Sequence, residues 1–230
     1  MFNIERCKKG RTLNAVYITR HGQANTGARD HSDYDKLSPL GHQQAKWLGE
    51  FFIANGMKFN RIYSGNLRRQ QQTAQCIKIS GAEYVIDDRL NEFDYFGLSH
   101  DIETRIGIPY PETQEEFKEY LLQMIILWKN KKFSSHLETY ENFHDRILSV
   151  VHDLSARGDS ALLVSSSGVI ASLVASLLNV PLNDQPKLFL SVSHTCLNRF
   201  EKICGDLTPT LFCATPHLDH PDRSHARTFI

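Results

Sequence analysis

The chain predicts an α/β fold, a three-layer α/β/α sandwich with a mostly parallel central sheet and an inserted helical cap. Three observations carry that expectation. Short apolar, β-branched runs such as Val16-Tyr17-Ile18-Thr19 and Ala161-Leu162-Leu163-Val164 read as buried parallel strands. Helix-patterned segments alternate with them, the rhythm of a sheet flanked by helices. The 230 residues suffice for one well-buried domain and are too few for two comfortable ones.

After the first strand, residues 23–37 form a polar loop with Gly27, Asp30, Asp33 and Asp35. Ser38-Pro39 is an N-cap followed by proline at the first helical position, and the helix runs through Trp47-Leu48 and Phe51-Phe52 to a stop at Asn55-Gly56. Arg61 to Ser64 is a short strand, Leu67 to Ile79 a helix, and Glu83 to Ile86 a strand. Residues 92–138 break the rhythm: Gly97, Gly107, Pro109 and Pro111 punctuate them before an amphipathic helix from about Glu112 to Lys129. An excursion this long between sheet elements is more often functional than incidental, and it is the expected cap of a single domain spanning 1–230. A helix at Thr139–Ala156 returns the chain to the strand at Ser160–Val164, which leads into a helix ending at Leu178. Strands at Leu197–Ile203 and Thr210–Ala214 complete the expected domain, and the tail from Thr215 to His225 reads as solvated.

Composition narrows the function. With 26 basic and 26 acidic residues the formal charge is zero, so no global field favours nucleic acid or an anionic membrane. Attraction for a phosphorylated ligand must then come from local arginines. No apolar stretch is long enough to span a bilayer, and residues 1–12 lack the apolar core of a signal peptide. The five cysteines (Cys7, Cys76, Cys196, Cys204, Cys213) are odd in number and lack metal-ligand spacing, so reduced thiols in a cytoplasmic protein are expected, with no metal and no cofactor.

Arg20-His21-Gly22 closes the first strand, where ligands of open α/β sheets sit. Arginine offers a planar fork of donors for phosphate oxygens. A neutral imidazole can attack phosphorus, and glycine lets backbone approach a bulky anion. Three residues alone fit equally well a charged pair capping a strand. The rest of the chain decides. Val16 to Gln23 and Leu37-Ser38-Pro39-Leu40-Gly41-His42 resemble the opening of the histidine phosphatase (phosphoglycerate mutase-like) superfamily. Ile62 to Ala74 is similar to its second block, usually Ser-Ser-Pro-Leu-x-Arg-Ala-x-Gln-Thr-Ala, and Leu90-Asn91-Glu92 fits the Leu-x-Glu that carries its acid.

The resemblance implies that His21 attacks phosphorus and is transiently phosphorylated, for which it must be neutral. Arg20 and Arg69 would bind phosphate oxygens and disfavour the charged imidazole, while Arg68 matches a variable position and reads as solvated. Glu92 would protonate the leaving oxygen and then activate water, with Asp94 as the alternate candidate. The fourth block departs from the family. It usually reads Val-x-His-Gly-Gly, and here it reads Val164-Ser165-Ser166-Ser167-Gly168, so Ser166 stands where the second histidine of the phosphate clamp belongs. Gly22, Ser166 and Ser167 are carried as further phosphate contacts, the two serines through their hydroxyls and the amides of the next helix. A lost clamp member typically costs about 10²–10³ in rate, which weakens such a catalyst without silencing it. His194 and His217 are the histidines that would compensate if either reached the pocket. Both read more readily as exposed or hydrogen-bonded loop residues.

The reading is a metal-independent hydrolase of phosphate monoesters, of the histidine acid phosphatase type. Its substrate is a phosphorylated small molecule or a phosphoprotein, with no nucleic-acid or membrane partner. The main rival is a pseudo-phosphatase that binds without turnover, motivated by Ser166. A phosphoglycerate-type mutase is weaker, because Gly27 occupies a position where mutases usually carry asparagine. A protein-phosphohistidine phosphatase is weaker still. Oligomeric state has no signature in the sequence.

Overall fold

The structure is a computed structural model that describes residues 15–25, 34–157 and 160–229. Cys7, Gly27, Asp30 and Asp33 lie outside those residues. Six strands form one sheet: β1 (Val16–Arg20), β2 (Arg61–Ser64), β3 (Glu83–Ile86), β4 (Ala161–Ser165), β5 (Leu197–Ile203) and β6 (Asp206–Ala214), in the order β3-β2-β4-β1-β5-β6. The pairings β1–β4, β4–β2 and β2–β3 are parallel, and β5 and β6 add an antiparallel edge. Both faces of β1 and β4 are covered, which explains their nearly unbroken apolar runs. β3 lies at the edge and is mostly exposed.

Register positions the site. Arg20 pairs with Ser165, and Ser64 pairs with Val164. The carboxyl ends of β1, β4 and β2 therefore lie side by side, and the segments that leave them open onto one edge of the sheet.

Helices cover both faces. On one side α1 (Pro39–Ala54) and α2 (Arg68–Ile77) bury Leu48, Phe52, Ala74 and Ile77 against Ile62, Leu162 and Val164. On the other, α5 (Tyr140–Arg157) and α6 (Ser167–Leu177) bury Val150, Leu154, Ile170 and Leu173 against Val16, Ile18 and Leu163. Between Glu92 and Glu138 lie α3 (Tyr95–Asp101), a π-helical turn (Ile102–Ile106) and α4 (Gln114–Lys129). This excursion has its own apolar cluster, in which Phe93, Leu98, Ile102, Leu121 and Trp128 pack with Phe143 and Ile147 of α5. Local chemistry sets the helix starts. Ser38 Oγ accepts from the Gly41 amide at 3.0 Å, and α4 opens on a capping box between Thr113 and Glu116.

Several expectations need correction. A short helix, α7 (Gln185–Ser191), follows α6 where no pattern of caps or apolar spacing announces one. β6 begins at Asp206, because Cys204 and Gly205, at φ 55° and 95°, close a two-residue hairpin with Ile203 opposite Asp206. Pro209 is tolerated because β6 is an edge strand. The tail is not uniformly solvated, since His217 and Leu218 are buried beside α1. Cys204 is disulfide-bonded, against the expectation of reduced thiols throughout, while Cys76, Cys196 and Cys213 are free. Among the described residues no helix is long and apolar enough to cross a membrane.

Candidate active site

A cavity of about 550 Å³ opens at the carboxyl edge of the sheet. Its floor contains Arg20 and His21 from the end of β1, Arg69 from the first turn of α2, Glu92 from the start of the 92–138 excursion, and Ser167 from the start of α6. Four segments distant in sequence thus deliver one cluster of chemistry.

His21 is 2 % exposed. Its Nδ1 lies 2.7 Å from the Gly22 carbonyl oxygen. A carbonyl can only accept, so Nδ1 carries the proton and Nε2 keeps its lone pair. Arg69 Nε donates to that Nε2 at 3.1 Å. Burial, then Arg69, then Arg20, then His194 hold the imidazole well below its ordinary 6.5, so it is neutral.

Arg69 is held by Asp35, a loop residue that no sequence pattern singles out. Asp35 Oδ1 accepts from Arg69 Nη1 at 2.8 Å and from the Arg69 amide, while Asp35 Oδ2 accepts from the Arg68 amide at 2.9 Å. One carboxylate therefore caps α2 from outside the helix and fixes its guanidinium. Thr73 completes the alignment: its hydroxyl donates to the Arg69 carbonyl and accepts from the Gly22 amide, at 2.7 and 3.0 Å. Arg68 plays no such part through its side chain.

Glu92 accepts at Oε2 from the Gly168 amide (2.9 Å) and at Oε1 from the Phe93 amide (3.1 Å). Burial nevertheless raises its pKa above the ordinary 4.5, against the pull of those amides and of Arg69. Gly168 is required here because a Cβ would collide with Glu92 Oε1. Asp94 also lines the cavity, but its carboxylate accepts from the Gly97 amide and caps α3.

Arg20 donates through Nη1 to the backbone carbonyls of Val192 and Phe229, and its buried Nε has no partner among the described residues. The end of the chain is tied in beside it. Gln44 donates to the Ala226 carbonyl, and the Thr228 carbonyl accepts from the His194 amide.

Residues 16–208 match the histidine phosphatase superfamily (branch 1). The chain belongs to that superfamily. Rat 6-phosphofructo-2-kinase/fructose-2,6-bisphosphatase 4 is 23 % identical over 91 % of this chain and 43 % of its own length. The chain therefore spans under half the length of such relatives. The glucosyl-3-phosphoglycerate phosphatase of Mycolicibacterium vanbaalenii is 30 % identical over 75 % of this chain and 78 % of its own. A structure of phosphoserine phosphatase from Entamoeba histolytica with 3-phosphoglyceric acid superposes with a TM-score of 0.62 at 22 % identity, covering 89 % of this chain and 98 % of that one.

The remaining positions differ from the phosphate clamp expected of this superfamily. Ser166 is buried, and its hydroxyl accepts from Gln70 Nε2 at 2.8 Å, so it faces the protein and is not among the cavity-lining residues. Ser167 does reach the cavity. Gly22 is no anion contact either: its amide donates to Thr73, and its missing Cβ makes room for the Gly41 carbonyl oxygen. Of the two reserve histidines, His194 is buried with its ring centroid 5.8 Å from that of His21. Its Nδ1 bonds Thr228, and burial holds its pKa well below the ordinary value. His217 bonds Thr195 Oγ1 and does not line the cavity. Among the described residues no group of three or more metal-binding side chains converges.

Proposed function

We propose that the chain is a hydrolase of phosphate monoesters that works through a phosphohistidine on His21. One observation supports this above the others: a neutral imidazole at the cavity with its proton on Nδ1, bonded to the Gly22 carbonyl, and an unprotonated Nε2 that accepts from Arg69 Nε and is freed for attack when that guanidinium turns to the phosphate. In the first step His21 Nε2 attacks phosphorus, and the bond from phosphorus to the ester oxygen breaks. The Gly22 carbonyl receives the growing positive charge at Nδ1–H, and Arg69 and Arg20 receive the charge on the phosphoryl oxygens. Glu92, protonated more readily than an exposed carboxyl, gives its proton to the leaving oxygen. In the second step Glu92 takes a proton from water, the water oxygen attacks phosphorus, and the P–N bond returns its electron pair to Nε2.

Ser166 supports a second reading. Its hydroxyl, committed to Gln70, supplies no cation where the superfamily places a histidine, and a pocket so weakened fits a protein that binds phosphate without efficient turnover. A phosphorylated small molecule is the substrate type in keeping with the relatives; a phosphoprotein is a less specific extension.

The two readings separate in one experiment: hydrolysis of p-nitrophenyl phosphate from pH 5 to 8 in chelator, by the protein and by His21→Ala. Turnover lost with His21 supports the hydrolase. Vanadate binding without turnover supports the pseudo-phosphatase. Turnover that survives His21→Ala contradicts the mechanism.

A further inference from the structure

The floor of the cavity is polar, but its wall is not. Tyr95, Phe96, Tyr110 and Phe117 from the 92–138 excursion line it, facing Tyr34 across the mouth. Tyr95 is the hub, its ring 5.7, 6.2 and 6.0 Å from those of Phe96, Tyr110 and Phe117. Tyr34 meets Phe96 edge to face at 6.3 Å and lies under the Arg69 guanidinium. Phe96 and Tyr110, each packed on Tyr95, remain 46 % and 49 % exposed, an apolar surface of the kind that marks ligand-binding grooves. The charges point the same way. Among the described lining residues the cations are Arg20 and Arg69, both at the floor, and Asp35 already pairs with Arg69. The other ionisable lining groups besides the phenols and His21 are the carboxyls of Glu92 and Asp94. One phosphate is matched; a second anion on the same molecule finds no described cation and meets Asp94.

We infer that this site takes phosphomonoesters whose leaving group is an uncharged aromatic ring, and discriminates against leaving groups that carry a carboxylate or second phosphate. The ring lies among Tyr95, Phe96 and Tyr110 with its ester oxygen towards Glu92. A cavity of about 550 Å³ accommodates one or two rings. Edge-to-face contacts favour an aromatic group over an aliphatic one of equal area. The inference rests on the hydrolase reading for turnover, but its binding component does not.

The test therefore measures both. Benzylphosphonate, methylphosphonate and phosphonoacetate, none of them hydrolysable, are titrated by calorimetry. Benzylphosphonate is expected to bind about 10- to 100-fold more tightly than methylphosphonate, with phosphonoacetate weakest. In parallel, kcat/KM is compared for benzyl phosphate and glycerol 3-phosphate, whose leaving groups are both alcohols, in the protein and in Phe96→Ala and Tyr110→Ala. The benzyl-to-glycerol ratio is expected to fall about tenfold in each variant through KM. A blocked phosphotyrosyl peptide beside 1-naphthyl phosphate tells a protein side chain from a small aryl ester, and preference for either sustains the aromatic class. Aromatic preference in binding without turnover sustains the inference and defeats the hydrolase reading. His21-dependent turnover with no aromatic preference in either assay does the reverse. If none of the phosphonates binds, both fall.

Discussion

The floor and the wall of the cavity are built by different physics. The floor is a set of directional contacts: His21 on the Gly22 carbonyl, Arg69 on Asp35, and Glu92 on the Gly168 amide. His21 and Arg69 are buried, at the end of β1 and the start of α2, and Glu92 is half-buried in the short link before α3. The wall is a set of rings drawn from α3, the loop that carries Tyr110, the first turn of α4 and Tyr34, with two of them half exposed. Directional contacts fix where a proton and a phosphate go; apolar contacts adapt to the group beyond the ester oxygen. Changes in the floor should therefore strike turnover and folding together, and changes in the wall should redistribute substrates.

The largest expected effect lies in the floor. Arg69→Ala removes a phosphate donor and takes the guanidinium from Asp35, so turnover should drop about 10²–10³-fold. Unfolding in urea should show a loss of roughly 1.5–3 kcal/mol, the range of a hydrogen bond between charged groups, because Asp35 loses the guanidinium and keeps the two amides. Asp35→Asn in that background should restore part of the stability and none of the rate. Equal losses for Arg68→Ala would erase the distinction between the two arginines.

Next comes the pH dependence. His21 and His194 are both held well below 6.5 in the folded state. A depressed folded pKa contributes stability above the unfolded value that is lost as pH falls, because the unfolded chain takes up the proton first. Thermal stability should decline as pH drops below about 6.5, and His194→Gln should flatten that decline. The same depression of His21 should carry turnover to lower pH than an exposed histidine would allow, while the fold holds. Glu92 is the opposite case: its raised pKa favours the fold at low pH and disfavours it as pH rises through the folded value. Glu92→Gln should therefore remove that pH dependence together with the activity, at the cost of one of the two backbone amide bonds.

Legibility in the sequence divides along the same line. Arg20 and His21 are readable because they close a strand, and Arg69 and Glu92 because their segments resemble those of the superfamily. Asp35 is not, since its role depends on a loop folding back on α2 from 34 residues away. Nor is the orientation of Ser166, decided by Gln70 on another helix, nor the Gly41 carbonyl that explains Gly22. The parallel sheet and its flanking helices follow from the alternation of runs. The hairpin at Cys204-Gly205 does not, because Pro209 counts against a strand until its edge position is known. In sequence the aromatic wall is only a scatter of rings in a segment without strand rhythm.

The smallest effect is expected where the floor meets the protein interior. Ser166→Ala removes one acceptor from Gln70 Nε2, which keeps the Leu90 carbonyl at 3.2 Å, so about 1 kcal/mol of stability and less than threefold in rate should be lost. A hundredfold loss of rate would mean that Ser166 turns towards the phosphate and belongs to the clamp.

The central claim is a covalent one, and rapid quenching tests it most directly. The protein is mixed with a ³²P-labelled aryl phosphate, stopped in alkali, and digested for mass spectrometry. An alkali-stable, acid-labile phosphoryl group on the peptide containing His21, formed and lost at rates compatible with turnover, is the predicted result. Sustained turnover with no phosphate on His21 at any time would contradict it.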